Sequence, residues 1–198
     1  MIALLVLICV VSALGFFNPK VLNLLIIDNS KPKEYWRYIT HGFVHANFTH
    51  LLFNMWVFYQ FAGVYPEKLF GATNWSADGI TWAIFLAGVL IGNVSSISKP
   101  KHYKALGASA GVSAILMVFI LFFPTTSLQL MFIPISFPAF LFGAFYVGYE
   151  YYQSKKGKGS IDHSAHLYGL GAGALVICFF YPRIFSSFYH QIAQFVWH

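Results

Sequence analysis

A serine and a histidine open two of the long apolar stretches in this chain. Ser109 lies in Gly107-Ala108-Ser109-Ala110-Gly111, and His166 lies in Ala165-His166-Leu167-Tyr168-Gly169. A third apolar stretch opens with His45, His50 and Asn54. A serine hydroxyl becomes a nucleophile at neutral pH only beside a base, and an imidazole within about 3 Å can be that base. His50 and Asn54 are spaced i,i+4, so they share one helix face and can donate to the same developing oxyanion. The first N–H groups of a helix have no internal partner, which makes the Ser109 amide a third donor. Such polar groups are expensive in a bilayer and pointless in a passive anchor. Together they point to peptide-bond hydrolysis inside a membrane.

Other chemistry is less well served. His45, ahead of His50, is expected to brace the site by hydrogen bonding rather than to react. A lone buried Asn is most often structural glue between helices, which is the plain alternative for Asn54. Asp162, just before His166, is a candidate third triad member. It falls in the loop preceding the helix, so a Ser109–His166 dyad is expected. His41, His45 and His50 crowd one stretch, but no acidic residue or cysteine joins them nearby and H-E-x-x-H is absent. No metal and no other cofactor is therefore expected. His102, His163, His190 and His198 are expected to be solvated histidines of loops and tail.

These groups need helices to carry them. The 198 residues are 58% hydrophobic, 20% aromatic and 9% charged, where a soluble domain carries about a quarter charged residues. The balance is that of an integral membrane protein. The net charge of +6 sits in short loops between apolar runs, a membrane-protein habit that argues against a nucleic-acid partner. Met1-Ile2-Ala3 lacks a basic n-region, so the first run is expected to be a retained helix. Cys9 and Cys178 lie within apolar runs and are expected to pack there, not to form a disulfide.

A bilayer core takes about 20 apolar residues as helix. Six spans are predicted, at 2–17, 48–65, 79–94, 106–123, 128–152 and 165–181, in a single domain covering 1–198. Residues 18–47 form a long loop whose segment 21–27 is apolar enough to dip into the interface, with Tyr35-Trp36-Arg37-Tyr38 as an interfacial anchor. Pro134 and Pro138 should kink the fifth span or delay its start. Residues 184–198 are an aromatic-rich tail expected along the interface. Helices two, four and six begin on the same face, which brings His50, Asn54, Ser109 and His166 to similar depth. Gly107, Ala110, Gly111 and Ala114 offer a small-residue face on helix four. Ala165, Gly169, Ala172 and Gly173 offer one on helix six, with Gly169 and Gly173 in G-x-x-x-G spacing.

In this order the motifs resemble those of the rhomboid intramembrane serine proteases, across nearly the whole chain. Trp36-Arg37 stands in the first long loop, and H-x-x-x-x-H-x-x-x-N enters helix two as His45, His50 and Asn54. Glu67 and Gly71 follow helix two. Gly107-Ala108-Ser109-Ala110 heads helix four, and Ala165-His166 with Gly169 and Gly173 heads helix six. The resemblance implies an all-α membrane protein: a six-transmembrane-helix bundle with a partly membrane-embedded first loop. It implies Ser109 as nucleophile and His166 as base. It implies an oxyanion site of His50, Asn54 and the Ser109 amide, and transmembrane proteins in the lipid bilayer as substrates. Some members carry a Tyr four residues after the nucleophile, stacked on the catalytic histidine; Ser113 stands there, so the support of the His166 ring is open.

The resemblance also implies an active face outside the cytoplasm. Loop charges, including Lys20, Lys31, Lys33, Arg37, Lys99, Lys101, Lys104, Lys155, Lys156 and Lys158, fall on that same face and point it inward. The motif match is the more specific signal, so an extracytoplasmic site is expected. The short N-terminus favours a bacterial inner membrane. The alternatives are an inactive relative that binds membrane segments, and a small transporter or metal-binding membrane protein. The latter is disfavoured because Glu67, Asp78 and Glu150 all fall near span ends.

Overall fold

Helix seven of the described chain is apolar on every side, and such a helix must be covered on every side. α7 (Ser109–Phe122) is accordingly central, buried at almost every position from Ala110 to Leu121. The computed structural model describes residues 1–62, 74–129, 135–157, 159 and 161–197. Around α7 pack α4 (Phe48–Ala62), α5 (Asn74–Gly92), α8 (Ala139–Lys156), α9 (His163–Phe180) and α10 (Ile184–Trp197), and α1 (Ile2–Phe17) packs on α4. Short helices α2 (Pro19–Leu25), α3 (Arg37–Thr40) and α6 (Val94–Ile97) fill the connections, with a 3-10 turn at His41–Phe43. Glu67, Lys68, Gly71 and the end of the second predicted span lie outside the described residues.

The bundle closes on α7 through glycines. A Cβ on Gly169 would fall 2.2 Å from the Ala110 carbonyl oxygen, and one on Gly173 would fall 2.1 Å from that of Ala114. Both are far inside van der Waals contact, so α9 lies backbone to backbone against α7. α5 does the same from another side, where a Cβ on Gly88 would come 2.7 Å from the Ala110 oxygen. The small-residue face expected on helix four is therefore split. Ala110 and Ala114 meet α9, whereas Gly111 meets Phe85 of α5, with a Cβ only 2.5 Å from the ring.

Local chemistry moved several boundaries. Asp162 caps α9 by accepting the Ala165 N–H at 3.1 Å, so that helix starts at His163 rather than Ala165. The helix of the fifth predicted span starts at Ala139 rather than 128. The preceding residues form an antiparallel pair, β3 (Ser127–Gln129) with β4 (Ser136–Pro138), and proline suits the residue before a helix. The fold is thus helical with two small strand pairs, a detail that an all-α reading omits.

The second strand pair joins β1 (Ile27–Asp28) to β2 (Lys104–Ala105) and so ties the first loop to the segment before α7. The loop itself is organised by the last carbonyls of α2, which have no helical partners. The Arg37 guanidinium donates to the Asn23 and Ile26 oxygens, each at 2.7 Å. Trp36 Nε1–H reaches the Leu24 oxygen at 3.2 Å, and the Thr40 hydroxyl reaches that of Leu25 at 2.8 Å. Glu34 pairs with the same guanidinium, so a nearly inaccessible cation is balanced. Ile26 and Ile27, at the end of segment 21–27, are buried within the protein.

The outer surface is strongly apolar. Phe17, Phe145, Leu175 and Phe179 all project outward from their helices, a surface suited to hydrocarbon rather than water. Among the described residues, 78–97 and 163–180 are long and apolar enough to cross a bilayer, and α1 and α7 are shorter apolar helices.

The α7–α9 contact makes a direct prediction. Gly169→Val must push α9 off α7, and overpacking of this kind costs about 1–3 kcal/mol. Tm in detergent should drop by several degrees, and Ser109 and His166 should separate. A variant with wild-type Tm would show that the two helices do not rely on this approach.

Candidate active site

The geometry at the head of α7 begins with a residue that only glycine suits. Gly107 has φ of +124°, a conformation unfavourable for side-chain-bearing residues. Its N–H donates to the His41 oxygen at 2.9 Å. This turn makes Ala108 the residue before the helix and Ser109 its first residue. His166 lies in the first turn of α9. Because α9 touches α7 just below, at Gly169 and Ala110, the two heads are level. Ser109 Oγ and His166 Nε2 lie 2.8 Å apart.

His45 is wired to the same turn, and its tautomer follows from the partners. The Ser12 hydroxyl has one proton and gives it to the Phe43 oxygen at 3.0 Å. Ser12 can then only accept from His45 Nδ1–H, at 2.9 Å. His45 Nε2 is therefore unprotonated and accepts the Ala108 N–H at 3.3 Å. One imidazole thus joins α1, the first loop and the residue before Ser109.

His50 lies in the first turn of α4, where Asn47 caps its N–H at 2.8 Å. Its ring stands edge-on to His45, with centroids 4.9 Å apart. It also covers Gly107, where a Cβ would come 2.8 Å from His50 Cε1. Asn54 is buried one turn on and donates one amide N–H to the His50 oxygen at 2.9 Å. An amide nitrogen carries a second N–H. The i,i+4 pair thus enters from α4 beside the serine turn.

The structure adds two residues that the sequence reading misplaced. Glu150, near the end of α8, is buried, and its Oε1 lies 3.1 Å from His166 Nδ1. Its Oε2 lies 2.7 Å from His163 Nδ1. His163 is therefore a buried partner of a carboxylate, not a solvated loop histidine. Glu150 stands beside the site rather than merely at a span end. A signal existed: odd-numbered spans end on the face where even-numbered spans begin, so a carboxylate late in the fifth span falls level with His166. Asp162, the carboxylate weighed for a triad, is occupied elsewhere. It caps α9 and accepts from Tyr103 and, at 2.8 Å, from Ser95. Ser113 donates to or accepts from the Tyr146 hydroxyl of α8 at 3.2 Å. Trp36 and Arg37 serve the first loop, and none of their hydrogen bonds reaches Ser109 or His166.

Glu150, His163 and His166 are also a group whose ligand atoms could converge on a metal, lying within 4.8 Å of one another. Both imidazoles already face the carboxylate through Nδ1, which favours a hydrogen-bonded network. The stretch of His41, His45 and His50 does not converge. His41 Nδ1 donates to the Arg37 oxygen at 3.0 Å, and both nitrogens of His45 are engaged.

The Rhomboid domain family model matches residues 32–183, more than half of the chain. Among curated proteins, the chain is similar to "RHOMBOID-like protein 12, mitochondrial" of Arabidopsis thaliana, at 29% identity over 77% of this chain and 48% of that protein. It is also similar to "Putative rhomboid protease YdcA" of Bacillus subtilis, at 31% identity over 44% of this chain and 41% of that protein. The chain spans less than half the length of either relative.

The two loop histidines make stability depend on pH. Burial lowers the pKa of His45 to about 3, with His50 adding to the effect. Burial lowers His41 to about 4, against a weaker opposing pull from the Arg37 carbonyl. Unfolded histidine titrates near 6.5, so below that pH the unfolded chain binds more protons. This stability is present above about pH 6.5 and is lost as pH falls toward the folded values. Each histidine should raise the unfolding equilibrium constant by up to about tenfold per pH unit. Unfolding in detergent should show Tm nearly constant from pH 7.5 to about pH 6.5 and then falling toward pH 5. A flat profile would mean that His41 and His45 are not held neutral.

Proposed function

The chain belongs to the rhomboid family, and we propose that it is an intramembrane serine endopeptidase that cleaves transmembrane segments of membrane proteins. The observation that carries this reading is the 2.8 Å contact between Ser109 Oγ and His166 Nε2 at the heads of two apolar helices. On this reading α1, α4, α5 with α6, α7, α8 and α9 are the six spans. The site faces the extracytoplasmic side of a bacterial inner membrane, and neither a metal nor another cofactor takes part.

A helix hides its carbonyls in internal hydrogen bonds, so the substrate must unwind before attack. It reaches the site laterally, between the second and fifth spans. Ser109 Oγ attacks the scissile carbonyl while its proton passes to His166 Nε2. The oxyanion takes hydrogen bonds from the Ser109 amide, His50 and Asn54. The intermediate collapses, and the leaving amine takes the proton from Nε2. Water then attacks the acyl-serine ester, giving its proton to Nε2, and the Ser109 hydroxyl is restored with release of a carboxylate.

Two measurements test this reading. A fluorophosphonate probe should label the wild type and not Ser109→Ala. The same variant should lose cleavage of a transmembrane reporter while keeping wild-type Tm. His50→Ala or Asn54→Ala should each slow turnover by about 10²–10³. A folded wild type that neither labels nor cuts would favour the inactive, segment-binding alternative.

A further inference from the structure

We propose that Glu150 is the positioning carboxylate of the site, making the working unit Ser109–His166–Glu150, with His163 holding the carboxylate in place. This rests on the protease reading and adds the group that sets the His166 tautomer.

Proton placement drives the argument. For Ser109 to give its proton to His166 Nε2, that nitrogen must carry a lone pair. A neutral imidazole has one N–H, so Nδ1 must carry it. Nδ1 is fully buried, with no aligned hydrogen-bond partner. An N–H left so in an apolar bundle is destabilising, and the other tautomer would be favoured unless something faces Nδ1. The atom that faces it is Glu150 Oε1, 3.1 Å away and off the N–H direction. During acyl transfer His166 gains a second proton and becomes a half-buried cation, and the carboxylate offsets that charge where it forms.

The rest of the cluster is built to keep Glu150 ionised and immobile. An ionised carboxylate only accepts, so the 2.7 Å contact assigns the proton to His163 Nδ1. His163 is the first residue of α9 and His166 lies one turn later, so their rings face the carboxylate from the same helix. The two rings stand edge to face, 6.0 Å apart. Tyr149 packs edge-on to His163 from α8, with centroids 5.8 Å apart. Glu150 itself is 3% exposed. A buried carboxylate without a purpose at the site would be an expensive feature in a membrane bundle.

The test compares Glu150→Gln and Glu150→Asp with wild type. Glu150→Gln keeps the shape but loses the charge and can present an N–H to Nδ1. It should lower kcat by up to about 10⁴, the loss seen when the orienting acid of a Ser-His-Asp triad becomes its amide. KM and Tm should stay near wild type. Glu150→Asp keeps the charge and should recover a substantial part of the lost kcat. In proton NMR, the wild type should show a downfield His166 Nδ1–H resonance that Glu150→Gln loses. A Glu150→Gln variant that is folded and within about threefold of wild-type kcat overturns the proposal, as does Glu150→Asp no better than Glu150→Gln. Should Glu150→Gln fail to fold, the wild-type resonance decides: a downfield His166 Nδ1–H supports the proposal, and its absence overturns it. The resonance reads the Glu150–His166 contact even if the wild type cuts nothing. Failure of the protease reading and failure of this proposal are thus distinguishable.

Discussion

Everything at the site depends on two helices touching without side chains between them. Gly169 and Gly173 of α9 lie against the carbonyls of Ala110 and Ala114 on α7, where a single Cβ would fall within about 2 Å of an oxygen. No hydrophobic effect drives helices together inside hydrocarbon, so close packing and hydrogen bonds must do it. The same approach brings a serine at one helix head and a histidine at the other to 2.8 Å. A larger residue at either glycine would weaken the bundle and separate Ser109 from His166. The stability of the bundle and the geometry of the site therefore rest on one contact.

The turn before α7 depends on a second set of constraints. Gly107 adopts a backbone conformation that favours glycine, and His50 covers the space where a side chain would stand. His45 then fastens Ala108 to Ser12 on α1, with its tautomer dictated by the one proton of the Ser12 hydroxyl. The first loop is held just as specifically. Trp36, Arg37 and Thr40 take up the unpaired carbonyls at the end of α2. These polar groups are satisfied by one another, as they must be where water is scarce.

Much of this was legible in the sequence, and the rest was not for definable reasons. The apolar runs located α1 to the residue, and glycine spacing marked the α7–α9 contact. Helix alternation put His50, Asn54, Ser109 and His166 on one face. Boundaries set by local hydrogen bonding were less visible. The Asp162 cap and the strand pair at 127–129 and 136–138 compete with apolarity on equal terms, and a hydropathy pattern does not register them.

What the sequence determined by itself was the set of candidate polar groups at the helix heads and their depth, because residue type and helical period carry both. What only the tertiary structure decided was which neighbours face which atoms. Glu150 and His163 are separated by a loop and lie on different helices, yet they meet at 2.7 Å because α8 and α9 run side by side there. Gly111 turned to Phe85 instead of α9 because two helices, not one, compete for the surface of α7. Rotation of a helix about its own axis is set by the packing of all its neighbours at once, and a one-dimensional pattern does not contain it.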